Sequence, residues 1–272
     1  MNGKKVRQKC RTFCLKKLKN NDIMKKICVG EKNMNILTIG NSYSEDATRY
    51  LHDVAYAQGD DIQVTNLYVG GCTLERHYRN MLSKRNEYQL IYNGARTGFF
   101  VSIEEAIGSK SWDVITLQQS SPLAFDKESY FPYIDELLAY VKKFSPKCKI
   151  YLHQTWSYED GNEWFKTSPY KNLCEMIPNV ARVYGEVADK IGADGIIKCG
   201  ELMLSMYKAG ITPLWRDGWH ASKGVGRYAM GLLWYRTLTG KSVADNGLSY
   251  FDEPIPDFDI AKVKEIVDSI EI

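Results

Sequence analysis

The 272-residue chain has no run of eighteen or more apolar residues, so no transmembrane helix is expected. Its N-terminal segment carries lysine and arginine but no apolar core and no small-residue cleavage site, which argues against a signal peptide. The seven cysteines (Cys10, Cys14, Cys28, Cys72, Cys148, Cys174 and Cys199) are odd in number and scattered. That pattern suits neither a disulfide framework nor a zinc knuckle. No metal and no other cofactor is expected, and the default location is the reducing cytoplasm. A basic body is also missing. Residues 1–33 hold eleven Lys/Arg against two acids, a net of +9, which leaves −6 for the rest of a chain whose total is +3. Nucleic-acid binding wants a basic patch on a fold, so nucleic acid is not an expected partner. The chain reads as a basic leader at 1–33, disordered or weakly helical, followed by one domain at 34–272. No G-x-S-x-G occurs, which excludes the ordinary α/β-hydrolase elbow.

What is present is an alternation. MNILTIG (34–40), DIQVTNLYVGG (61–71), WDVITLQ (112–118), KCKIYLHQTW (147–156) and DGIIKCG (194–200) are short strand-like runs. Helical spacing covers roughly 47–58, 73–85, 100–109, 129–144, 201–210 and 259–270. It also covers 170–191, with an interruption expected near Pro178, and 224–240, read as one apolar face ending at Gly240. NSYSED (41–46) reads as a polar turn and YQLIY (88–92) as a small excursion strand. The alternation predicts an α/β fold, a three-layer α/β/α sandwich with a mostly parallel central sheet. Ligands in such sheets bind beyond the carboxyl ends of the strands. Ser42, Gly71, Gln118 and His153 each fall just past a predicted strand end.

Serine is a poor nucleophile until a base removes its proton, and the base needs an acid to orient it. Ser42 lies between the first strand and the first helix, where backbone N–H groups face developing negative charge. The same position suits a helix cap. Only four histidines exist, His52, His77, His153 and His220. His52 and His77 fall inside helical patterns. His220 lies in RDGWHAS, three residues after Asp217, so a tight loop can bring the carboxylate to one ring nitrogen and leave the other for Ser42. A helix-capping loop is the alternative reading of that spacing.

GNSYS (40–44) resembles the first block of the SGNH/GDSL hydrolases, where GDS is more usual. YVGGCT (68–73) resembles the second block, and WRDGWH (215–220) the closing D-x-x-H. GNSYS, LQQSS, HQTW and DGWH together resemble a little-characterised bacterial branch of that superfamily. The resemblance spans about 34–240 and implies a flavodoxin-like SGNH hydrolase fold and serine esterase activity. It implies Ser42, Asp217 and His220 as catalytic residues, and Ser42, Gly71 and Gln118 as the oxyanion hole, with Gly70 an alternative donor. The family's third block, G-x-N-D, is missing; Gln118, or else Gln119, stands where its Asn would donate. Asn41, Gln119, His153, Gln154, Trp156 and Trp219 are the expected substrate-binding residues. Tyr158, Trp164, Phe165 and Trp215 add rings to the same rim. Aromatic residues stack on sugars, which points to a carbohydrate; the resemblance implies that the substrate is a small-molecule or glycan acyl ester, acetyl foremost. A lysophospholipid-type esterase and a non-catalytic carbohydrate-binding relative are the alternatives. A nucleotide-binding flavodoxin-like protein is disfavoured, because the acids of GNSYSED would repel phosphate.

Overall fold

The computed structural model describes residues 33–272, so the leader expected at 1–33 lies, apart from Asn33, outside the described residues. Seven strands form one sheet: β1 (Met34–Gly40), β2 (Ile62–Tyr68), β3 (Tyr88–Tyr92), β4 (Ala95–Val101), β5 (Val114–Leu117), β6 (Lys149–His153) and β7 (Gly195–Ile197). Their order is β4-β3-β2-β1-β5-β6-β7. β2, β1, β5, β6 and β7 run parallel, while β3 and β4 are an antiparallel edge hairpin. Alternate residues of β1 enter different cores, Ile36 on one face and Leu37 and Ile39 on the other. Burial on both faces is why these strands read as apolar runs and not as alternating patterns.

Five of the helices packed on the sheet bear on the site. They are α1 (Ser42–Thr48), α2 (Leu51–Ala57), α6 (Leu173–Ile191), α7 (Cys199–Lys208) and α8 (Val225–Thr239); α3 (Leu74–Ser83), α4 (Ile103–Gly108), α5 (Tyr133–Phe144) and α9 (Asp257–Ser269) complete the layers. Side chains of α1, α2, α7, α8 and α9 share one core; those of α3, α4, α5 and most of α6 share the other.

Several elements differ from expectation. NSYSED is not a turn: Asn41 accepts the Tyr43 N–H at 3.0 Å and caps a helix that begins at Ser42. The single helix expected at 47–58 is two, α1 and α2, broken at Arg49–Tyr50. There the hairpin tip crowds the chain, since a Cβ at Gly94 would collide with the Arg49 carbonyl. That tip has positive φ at both Asn93 (46°) and Gly94 (77°). Asn-Gly is the favoured pair for such a turn, so β4 was signalled by sequence where only β3 was expected. α6 runs unbroken through Pro178. α8 is not one-faced: Val225, Tyr228, Ala229, Met230, Leu232, Leu233, Trp234 and Tyr235 are all buried, as in a helix inside the core.

The register of the parallel strands determines where the site falls. Gly40 is level with Tyr68, Ile39 with Leu117, and Leu117 with Leu152. The chain therefore leaves β1, β2, β5 and β6 at one rim. Chain order reverses between β1 and β5, which opens a crevice at that rim.

Candidate active site

Ser42 is the first residue of α1, and its N–H is one of the donors a helix start leaves without an internal partner. The loop opposite closes on itself. Trp215 and Ala221 form an antiparallel bridge, and the Arg216 N–H donates to the His220 carbonyl at 3.0 Å. Gly218 at its tip has φ 86°, a left-handed conformation that lets the chain reverse within three residues. Asp217 serves both turn and ring. Its Oδ1 accepts the His220 N–H at 2.8 Å and the Trp219 N–H at 3.3 Å, while Oδ2 lies 2.7 Å from His220 Nδ1. His220 Nε2 lies 2.8 Å from Ser42 Oγ. A carboxylate only accepts, so Nδ1 carries the proton and Nε2 is the bare acceptor facing the Ser42 hydroxyl. Partial burial works against the Asp217 carboxylate, but the bonds from the His220 ring and backbone hold its pKa below the usual value. Such a chain can take up the serine proton and stabilise the resulting imidazolium.

The two halves are clamped by a carboxylate that the sequence reading did not single out. Asp46, one turn after Ser42 on α1, is fully buried. It accepts from Arg216 Nη1 and Arg227 Nε, each at 2.9 Å, and from the Ala221 N–H at 3.1 Å. Burial works against both charges. It raises the Asp46 carboxyl pKa in spite of the two arginines. It would also lower the Arg227 guanidinium, which Asp46 and Asp252 nonetheless hold above its usual pKa. The contacts at 2.9–3.1 Å are those of an ionised carboxylate. From the other side Trp156 Nε1 donates to the Trp219 carbonyl at 2.8 Å and Trp215 Nε1 to the Ser157 carbonyl at 3.0 Å. Trp156 also packs on Tyr43, with ring centroids 4.1 Å apart.

A cleft of about 510 Å³ opens over Ser42 and His220. Gly70 and Gly71 edge it in a β-turn closed by Cys72 N–H to the Val69 carbonyl at 3.2 Å. Gly71, at φ 59°, occupies the turn position that needs a left-handed residue. Tyr43, Tyr68, Tyr158, Trp164 and Trp219 supply aromatic walls; Asn162, Ser120 and Ser121 supply amide and hydroxyl groups. Tyr158 and Trp164 stack at 4.5 Å and 20°. Of the rings expected at the rim, Phe165 and Trp215 are buried instead.

The expected substrate-binding set separates into two groups. Asn41 and Trp219 line the cleft. Gln119, Gln154, His153 and Trp156 are buried behind it. Gln119 is fully occupied, accepting from Leu74 and Ser120 N–H groups and donating to the Ser129 carbonyl. Gln154 pairs with the Glu201 side chain and backbone at the start of α7. Gln118, the expected oxyanion donor, also stands back from the cleft. Its Nε2 donates to Asn41 Oδ1 at 2.7 Å, and its Oε1 lies 2.8 Å from His153 Nδ1. Burial pushes the pKa of His153 down to about 3, so the ring is neutral. Its Nε2 is buried with no hydrogen-bond partner among the described residues, an arrangement that costs about 1–3 kcal/mol. Among the described residues no group of three or more His, Cys, Asp or Glu side chains could hold a metal ion.

The five parallel strands and the crevice at their reversal make an α/β architecture, and its fold resembles those of solved structures described as SGNH or GDSL-like hydrolases. A candidate SGNH hydrolase from Slackia heliotrinireducens superposes with TM-score 0.53 at 21% identity, covering 76% of this chain and 100% of that one. A candidate GDSL-like lipase from Parabacteroides merdae superposes with TM-score 0.50 at 16% identity, covering 77% and 97%. At these identities the likeness is one of fold. A family model described as "Domain of unknown function (DUF4886)" matches residues 35–257, and the chain belongs to that family. A DUF4886 family protein from Bacteroides uniformis, solved by crystallography, has TM-score 0.81 at 29% identity over 87% of this chain and 93% of its own. No curated protein sequence matches.

Proposed function

We propose that the protein is a serine carboxylic-ester hydrolase that removes small acyl groups, acetyl foremost, from neutral carbohydrates. The observation that carries this reading is the hydrogen-bonded series Ser42–His220–Asp217, at 2.8 and 2.7 Å, opening on a cleft. In the reaction Ser42 Oγ attacks the ester carbonyl as His220 Nε2 takes its proton. Asp217 holds the imidazolium. The oxyanion is met by the Ser42 and Gly71 N–H groups, which have no partner among the described residues. His220 then returns the proton to the departing alcohol, leaving an acyl-serine. Water, deprotonated by His220, releases the acid and restores Ser42. Each oxyanion donor contributes about 2.7–4 kcal/mol to transition-state stabilisation.

The substrate class rests on the character of the walls. Stacked Tyr158 and Trp164, with Trp219 beside His220, offer faces to a sugar ring. The polar groups beside them are amides and hydroxyls, which suit an uncharged polyol better than a phosphate headgroup. The test is hydrolysis of p-nitrophenyl acetate, longer acyl esters and acetylated glycans by wild type and Ser42→Ala. Wild-type turnover, highest on acetyl groups and lost in the variant, is expected. Equal rates in the two proteins would sink Ser42 as the nucleophile.

A further inference from the structure

Four neighbouring strand ends are tied together by one directional series of side-chain hydrogen bonds. His153 ends β6, Gln118 follows β5, Asn41 follows β1, and Cys72 closes the turn after β2. In sheet order these are adjacent strands. We propose that His153, Gln118 and Asn41 form a positioning relay that locks the Ser42 turn to the Gly70–Gly71 turn, so that the Ser42 and Gly71 N–H groups converge on one oxyanion. The inference rests on the esterase reading above.

Direction is dictated by donors that cannot reverse. The Tyr43 N–H can only donate, so the oxygen of Asn41 faces it, at 3.0 Å. The Cys72 carbonyl can only accept, so Asn41 Nδ2 faces it, at 3.1 Å. Gln118 must then present Nε2 to Asn41 Oδ1, which turns its Oε1 toward His153. His153 has to answer with a protonated Nδ1, and its neutral ring leaves Nε2 bare. Flipping any amide would set two donors or two acceptors face to face. The packing allows no slack: a Cβ at Gly40 would lie 2.6 Å from Gln118 Oε1 and would also collide with Ser44 Oγ.

A merely space-filling role does not account for His153. Its other nitrogen is buried with no partner among the described residues, and its ring packs near Trp156 and Trp234. An apolar side chain would fill that volume with no orphaned atom. What only the histidine supplies there is the Nδ1–H that orients Gln118. Gln118 in turn is withdrawn from the cleft, so it acts on the reaction through Asn41 and the glycine turn.

The experiment is a double-mutant cycle on the full chain with Asn41→Ala and Gln118→Met. Two readouts are used: p-nitrophenyl acetate kinetics and the rate at which a dialkyl fluorophosphate labels Ser42, with Tm measured on every variant. Gln118→Met is expected to lower kcat and labelling at least about tenfold, with KM changed less than about twofold. The double variant should lose no more than Asn41→Ala alone, because a relay broken once cannot be broken again. Losses that multiply, or wild-type labelling by a folded Gln118→Met, would overturn the relay. If Gln118→Met does not fold, Gln118→Asn takes its place in the cycle; it keeps the amide but is one methylene too short, and the same outcomes decide. A wild type that resists the fluorophosphate would instead overturn the esterase reading itself.

Discussion

Asp46→Asn is the substitution that most directly separates the clamp from the chemistry. The carboxylate is fully buried and takes Arg216, Arg227 and the Ala221 N–H at 2.9–3.1 Å. An amide keeps one acceptor oxygen but turns N–H groups toward two guanidinium cations. Those cations are only 24% and 13% exposed, so water cannot fully replace the lost partner. Breaking a buried pair from one side costs about 3–5 kcal/mol. Arg227 retains Asp252 at 2.9 Å, which favours the lower end, about 3 kcal/mol. At about 2–4 °C per kcal/mol for a domain of this size, Tm should fall by about 6–12 °C. A second effect is kinetic. Arg216 Nε already lies 3.9 Å from Asp217 Oδ2. Released from Asp46, Arg216 keeps its bond to the Ala221 carbonyl at 2.5 Å and is expected to turn its free nitrogens toward Asp217, in competition with His220. Ester hydrolysis should therefore drop even well below the variant's Tm, and thermal denaturation paired with p-nitrophenyl acetate kinetics reads both. A variant that melts within about 2 °C of wild type would refute the clamp. Normal turnover by a destabilised variant would refute the competition for Asp217.

Two further outcomes follow from the same contacts. Gly71→Ala meets open space but a left-handed backbone at φ 59°, so urea denaturation should show a loss of only about 1–2 kcal/mol. Its kcat should fall far more, about 10²-fold, as the donor N–H turns away; a proportionate, small change in both would count against Gly71 as a donor. Asp252 has its carboxyl pKa held below the usual value: burial opposes ionisation, but Arg49 and Arg227 outweigh it. Its folded pKa is therefore below its unfolded one, so its stabilisation is complete above the unfolded value, near pH 4, and disappears as pH falls through the folded value. Asp252→Asn should flatten the acid limb of the stability profile below about pH 4, and an unchanged limb would show that the Arg49–Asp252–Arg227 pairing contributes nothing there.

Some of the site was readable because it is local. Asp217 and His220 are three residues apart around Gly218, and so short a loop leaves few ways to arrange a carboxylate and a ring. Ser42 and Gly71 were readable because strand ends at one rim follow from an alternating α/β pattern. The clamp was not: Asp46 sits in a polar string, and Arg216 and Arg227 lie 170 and 181 residues further on. The strand end and the resemblance together place Gln118 at the cleft as an oxyanion donor, yet it stands behind the cleft. Its orientation depends on His153, 35 residues later, and on which atom of Asn41 it meets.

Periodicity thus determined the α/β class and the rim on which the site lies, while the resemblance of GNSYS and WRDGWH to SGNH/GDSL blocks supplied the candidate nucleophile, acid and base. These depend on short-range pattern and on the fixed twist and handedness of parallel strands. The tertiary structure alone decided which polar side chains face the cleft and which are spent behind it. Gln119, Gln154 and Gln118 could each have served a ligand. A buried amide must satisfy both its ends, and the partners that satisfy them are assembled only when distant strands and helices close on one another.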